Sequence, residues 1–201
     1  MSVLRNAPVD FPINRLIAGR WSPRALSPAR IDRAVIATLF EAARWAPSSF
    51  NEQPWRYLIA TKDDPEGYER LASLLVPGNS WARNGYILAL SVTHLQFERN
   101  GKPNPHAWHD VGAASENMFL QASELGLYMH QMAGFDREKA RSLLAPDAQL
   151  EPVAMIAIGY PGDPSSLADQ QRAAEAAPRQ RMPITGFVFE GGWGKPAVLA
   201  K

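Results

Sequence analysis

The chain has no cysteine. Disulfides, thiolate zinc sites, Cys-ligated iron–sulfur clusters and Cys nucleophiles are therefore excluded together. It has no long apolar run either. The strongest stretches, Tyr86 to Val92 and Val153 to Tyr160, are strand-sized and well short of the ~18 residues that span a bilayer. An excess of one charge is also missing. The 21 Lys and Arg stand against 20 Asp and Glu, a net charge of +1, which argues against a polyanion partner such as nucleic acid. Pro8, Asp10 and Pro12 interrupt any signal-peptide core near the N-terminus, so the expectation is a soluble, cytoplasmic protein without a membrane partner.

Several motifs are absent too. There is no G-x-G-x-x-G, no G-x-x-x-x-G-K-[ST] and no G-x-S-x-G, so a Rossmann site, a P-loop and a serine-hydrolase elbow lack support. No isolated carboxylate pair suggests glycosidase chemistry. Of the four histidines, His106 and His109 have a ligand-like spacing in His106-Ala-Trp-His109-Asp110. A proline-rich loop entering a helix capped by Asp110 accounts for that pattern, and no metal is assigned. With so little reactive chemistry of its own, an enzyme of this sequence needs a bound organic cofactor.

What is present is an ordinary globular composition, 46% hydrophobic and 20% charged over 201 residues, enough for one domain. Residues 1–19 read as an extended arm and 178–201 as a tail. Between them, helices are expected at Pro28–Arg44 with Ser27 as N-cap, Asp63–Leu75, Asp110–Leu125, Asp136–Leu144 and about 165–176. Strands are expected at Tyr57–Thr61, Tyr86–His94, Leu127–Met132 and Val153–Tyr160. In the first helix Ile31, Val35, Leu39 and Ala42 form the expected buried face. The connections are short for parallel crossovers, which favours an α+β three-layer arrangement over a doubly wound sheet.

Three polar clusters remain. Arg20-Trp21-Ser22-Pro23-Arg24 offers two guanidinium groups and a hydroxyl, donors that suit a phosphate; a solvated pre-helix loop has the same composition. Ala46-Pro47-Ser48-Ser49-Phe50-Asn51-Glu52-Gln53-Pro54-Trp55-Arg56 offers hydroxyls and amides for a heteroaromatic edge, with Trp55 as an anchor in the core, or is a polar turn. In an extended Arg179-Gln180-Arg181 the two arginines share a face, which an anion between them would favour; an exposed basic tail is the alternative.

Together these clusters resemble the nitroreductase family of FMN-dependent oxidoreductases. Arg20-x-Ser22-x-Arg24 resembles its flavin-phosphate motif, and Pro47-Ser48-Ser49-x-Asn51-x-Gln53-Pro54-Trp55 its central signature. Asp110-x-Gly112-Ala113-Ala114-x-x-Asn117 is similar to the start of its long helix. Gly126-Leu127 with Gly134-Phe135-Asp136, Ile158-Gly159-Tyr160-Pro161 and Arg179-x-Arg181 follow in the family's order. The resemblance implies a three-layer α+β sandwich of the nitroreductase type, with extended terminal arms, as an intertwined homodimer. It implies non-covalent FMN at the subunit interface and NAD(P)H as donor. Hydride would pass to an electron-poor small molecule, such as a nitroaromatic or quinone, in a ping-pong cycle. The resemblance places Arg20, Trp21, Ser22, Arg179 and Arg181 around the phosphate and Arg24 near flavin N1. Pro47, Ser48, Ser49 and Asn51 would come from the second subunit, and Gln53 would bind the cofactor as well. The backbone of Ala133-Gly134 would lie near N5. Two positions depart from the family. Ala133 stands where Glu is frequent, and Trp21 where Arg or His is frequent. The isoalloxazine contacts within 79–84 have no evident match. A specialised reductase or dehydrogenase of the same fold, or a flavin-binding module without turnover, are the other functions this sequence allows.

Overall fold

A computed structural model describes residues 4–144 and 149–199. Five strands form an antiparallel sheet: β1 (Leu26–Ser27), β2 (Trp55–Thr61), β3 (Ile87–His94), β4 (Tyr128–Met132) and β5 (Leu150–Pro161). β5 is the hub. It pairs with β3 along most of its length, with β4 from Met155 to Gly159, and with β1 through Tyr160 and Pro161. β2 pairs with β3. β3 is buried on both faces, which is why its sequence is almost uninterruptedly apolar.

The side-chain period of two in β3 and β5 divides the core into two layers. Leu88, Leu90 and Val92, with Met155 and Ala157, pack against Tyr68 and Leu71 of α3 (Pro65–Ala72) and Ala140 of α5 (Arg137–Leu143). Ile87, Ala89, Ile156 and Ile158 face the other way. They meet Ile36, Leu39 and Ala43 of α2 (Arg33–Arg44) and Val111, Met118, Phe119 and Ala122 of α4 (Ala107–Glu124). The result is the expected α+β three-layer sandwich. Two further helices are α1 (Arg15–Gly19), before β1, and α6 (Asp169–Ala176), after β5.

Several sequence expectations are corrected. The N-terminal arm is not wholly extended: α1 forms there, with the Asn14 side chain accepting from the Leu16 N–H at 2.9 Å. α2 begins at Arg33, not Pro28, and its N-cap position is Asp32, not Ser27. The reason is nonlocal. Leu26 and Ser27 are claimed by pairing with β5, and Pro28, lacking an N–H, ends that pairing. The buried stripe shifts accordingly to Ile36, Leu39 and Ala43, leaving Val35 half-buried, though Ile31 is buried just ahead of the helix. α4 starts three residues early, so Asp110 lies in its first turn instead of capping it. The stretch read as one helix near 165–176 is a short 3₁₀ turn, Pro164–Ser166, followed by α6. β5 runs on through Pro152 because a register shift between Ser91 and Val92 relaxes the ladder there. The Ser91 hydroxyl fills the gap, donating to the Ala154 carbonyl and accepting from its N–H, both at 3.1 Å.

Gly162, just past β5, has a packing reason. A Cβ there would lie 2.5 Å from the carbonyl carbon and oxygen of Leu26. Gly162→Ala should therefore displace β1 and cost about 1–3 kcal/mol in urea unfolding. Gly78→Ala, where a Cβ meets nothing within 4 Å, should change stability by no more than about 0.5 kcal/mol. Equal effects would contradict this account of β1.

Candidate functional site

The sheet edge at β1 and β4 supports the segment 20–25. Trp21 packs edge-on against Tyr128 with ring centroids 5.7 Å apart. Two residues on, the Pro23 carbonyl accepts from Nδ1 of His130 at 3.0 Å. The chain from 21 to 23 thus runs in the same direction as β4 from 128 to 130, and Arg24 lies further than Arg20 toward Ala133-Gly134. Arg20 is fixed from α4, with its Nε 3.6 Å from Glu116 and its guanidinium 4.5 Å above the Phe119 ring. Its Nη1 also donates to the Ser22 hydroxyl at 3.4 Å.

Against this segment lies the chain after α6, and between them is a cleft of about 300 Å³. Its walls carry five guanidinium groups, those of Arg5, Arg20, Arg24, Arg179 and Arg181, with the Ser22 hydroxyl, the Trp21 ring and one carboxylate, Glu175. Burial and the nearby charges of Arg20, Arg181 and Arg5 hold Arg179 below the ordinary arginine value. It is retained by carbonyls, donating through Nη1 to Arg5 and, at 2.8 Å, to Ala18. Arg181 donates to the Gln180 carbonyl at 2.7 Å. The expected phosphate-side residues Arg20, Trp21, Ser22, Arg179 and Arg181 do converge, and Arg24, expected near flavin N1, lines the same cleft.

The other expected site residues do not line this cleft. Pro47, Ser48, Ser49, Asn51 and Gln53 belong to a tight loop containing the 3₁₀ turn Ser49–Asn51. Phe50, Asn51 and Gln53 all have positive φ, at 56°, 57° and 51°. Three non-glycine residues in that region cost of order 1–3 kcal/mol each, and such strain collects at functional sites. The loop is held from within by the Gln53 N–H on the Ser48 hydroxyl at 3.0 Å. It is held from outside by the Ser49 N–H on the buried Asp110 carboxylate, also at 3.0 Å. Ala133 and Gly134 follow β4. The Gly134 carbonyl accepts from Asn79 Nδ2 at 2.8 Å, and a Cβ on Gly134 would meet that same nitrogen. Asn79 belongs to a 3₁₀ segment, Pro77–Asn84, which also places Trp81 beside His130 and beneath Arg24.

Comparison with known proteins gives this geometry a context. The sequence profile of the nitroreductase family matches residues 17–84 and 74–160. The chain belongs to the nitroreductase family. A crystal structure described as an oxidoreductase containing FMN is 32% identical, with a TM-score of 0.89, covering 97% of this chain and 100% of that one. A provisionally named nitroreductase from Desulfovibrio desulfuricans, solved in complex with FMN, is 25% identical. Its TM-score is 0.68, and the match covers 92% of this chain and 99% of that one. A protein of Archaeoglobus fulgidus, provisionally named an NADH dehydrogenase/NAD(P)H nitroreductase, is 27% identical over 153 residues, 74% of this chain and 85% of its own length.

For this nitroreductase-family chain the donor set of the cleft, guanidinium forks and a hydroxyl, fits a phosphate monoester. Sequence reasoning missed Arg5 and Glu175 because both act on main-chain groups far away in sequence, leaving no local pattern. It also missed His130. Burial, with a smaller push from the Arg24 and Arg20 charges, depresses its pKa from 6.5 to about 4, although the Pro23 carbonyl bond opposes the shift. The unfolded chain therefore takes up this proton first as pH falls. Stability should be lost between pH 6.5 and 4, on the order of 3 kcal/mol. His130→Asn should remove that part of the slope in denaturant titrations across the window. An unchanged slope would contradict the assignment.

Proposed function

We propose that this protein is an FMN-dependent NAD(P)H oxidoreductase acting as a homodimer. The observation that carries the reading is the convergence of Arg20, Ser22, Arg24, Arg179 and Arg181 on one cleft, in a chain of the nitroreductase family. FMN, when bound, supplies the hydride acceptor that takes a hydride from NAD(P)H and passes it to an electron-poor molecule such as a nitroaromatic or quinone, the two substrates using one site in turn.

The protein's part is binding, orientation and electrostatics. Arg20, Ser22, Arg179 and Arg181 hold the phosphate through charge-assisted hydrogen bonds. Arg24 lies toward the Ala133-Gly134 end and stabilises negative charge at the flavin N1 edge. The Ala133-Gly134 backbone, braced by Asn79, borders N5. The loop carrying Pro47, Ser48, Ser49, Asn51 and Gln53 lies outside the cleft of its own chain, so in this reading it serves the site of a second copy. Exposed apolar side chains on the elements concerned support such an assembly: Trp45 after α2, Phe50 in the loop, and Trp108 and Leu125 at the ends of α4. On the same helix Gly112 is exposed and meets no neighbour within 4 Å in this chain, which leaves room for close helix approach.

Arg24 and Arg181 should separate in their effects. Arg24→Ala removes a cation from the place where charge develops only on reduction. At 1.4 kcal/mol per tenfold, loss of one charge-assisted bond should slow reduction by NAD(P)H by about ten- to a hundredfold and lower the flavin midpoint potential. Arg181→Ala faces a phosphate whose charge is the same in both redox states. It should weaken FMN binding and leave the midpoint nearly fixed. Stopped-flow reduction and redox titration at saturating FMN distinguish the two. An unchanged midpoint in Arg24→Ala with a shifted one in Arg181→Ala would overturn the assignment, and failure of the unaltered protein to oxidise NADPH with a quinone acceptor would overturn turnover itself.

A further inference from the structure

The seat of α6 is polar. Of its residues, Asp169–Ala176, only Glu175 is buried. A surface helix is ordinarily held by an apolar stripe; here a carboxylate does it. Glu175 accepts from the Arg24 N–H at 2.7 Å and from the Ala25 N–H at 3.4 Å. At the C-terminal end of the helix, a single guanidinium, that of Arg5, donates to the carbonyls of Glu175, Ala176 and Ala177, the last two at 3.0 and 2.8 Å. A planar fork can serve three such acceptors at once, and its charge suits the negative end of the helix dipole. Beyond the helix, Arg179 holds the Arg5 and Ala18 carbonyls.

This docking brings Arg179 and Arg181 up to Arg20 and Arg24. Two effects therefore oppose each other. Hydrogen bonds to Arg5, Ala18, Arg24 and Ala25 close the segment onto the body, while repulsion among the guanidinium groups opens it. Burial is the main reason that Arg179 lies below the ordinary arginine value, and the charges of Arg20, Arg181 and Arg5 push it the same way. A dianion in the cleft removes the repulsion and leaves the hydrogen bonds, so it binds the closed form and shifts the equilibrium by mass action.

We propose that residues 169–181 form a strap that closes over the flavin phosphate, that Arg5 and Glu175 are the positioning residues that seat it, and that the phosphate rather than the ring drives closure. The identity of the anion rests on the flavin reading; the strap itself does not.

Trypsin can cut after Arg172, Arg179 and Arg181, all on the strap. The test follows these cuts by mass spectrometry on the full chain stripped of flavin, with FMN, riboflavin or millimolar inorganic phosphate added. Cleavage should slow by about tenfold or more with FMN and with phosphate, and remain fast with riboflavin. Protection by phosphate without any binding of FMN upholds the strap and ends the flavin reading. Equal protection by riboflavin and FMN overturns the proposal, as does unchanged cleavage with every ligand. Arg5→Lys keeps the charge and loses the fork. It should abolish FMN protection and reduce the preference for FMN over riboflavin by about tenfold. Wild-type protection in Arg5→Lys overturns the role of Arg5. Should that variant not fold, Glu175→Ala, which leaves the Arg24 and Ala25 N–H groups without their acceptor, makes the same prediction, and wild-type protection there overturns the role of Glu175.

Discussion

Five guanidinium groups share one cleft with a single carboxylate, and the arrangement of both chain ends follows from how that repulsion is contained. Each arginine has a counterweight. Arg20 has Glu116 and the Phe119 ring, Arg24 lies over Trp81, and Arg5, Arg179 and Arg181 are spent on main-chain carbonyls. Glu175 ties the two walls together through backbone N–H groups. The hydrogen bonds and the ion pair use polar groups, while the Phe119 and Trp81 rings belong to the apolar core, and the core decides where all of these contacts form. β5 pairs with β1 and β4, β1 fixes the exit of the segment 20–25, and β4 supplies Tyr128 and His130 beneath it.

The layers were legible in the sequence because burial on both faces leaves a plain mark. β3 is apolar at nearly every position, and α4 carries small residues at helical spacing. The start of α2 was not legible. Ser27-Pro28 reads equally well as a helix N-cap with proline at the first position and as the end of a strand, and only Tyr160 and Pro161, far along the chain, decide between them. The phosphate-type arginines stood out as two separate clusters. Their convergence did not, since the bond that joins the walls spans 151 residues from Arg24 to Glu175. Arg5 and Glu175 had no signal because they recognise backbone, which every residue has.

The strained loop at Phe50, Asn51 and Gln53 shows the same limit from another side. Its composition is that of any polar turn; the cost is visible only in the dihedral angles. Asp110 meets part of that cost by holding the Ser49 N–H. The loop is therefore a rigid feature presented outside its own chain's cleft. In the proposed dimer it supplies the ring end of a site whose phosphate end belongs to the partner.

The central claim, a flavin held between two copies of this chain, is tested most directly by native mass spectrometry of the purified, FMN-reconstituted protein. With a chain mass of 22.2 kDa, the account predicts one dominant species containing two chains and two FMN, and loss of flavin whenever the dimer separates. A flavin-loaded single chain, a dimer that takes FAD instead, or a dimer with no flavin after reconstitution would contradict it.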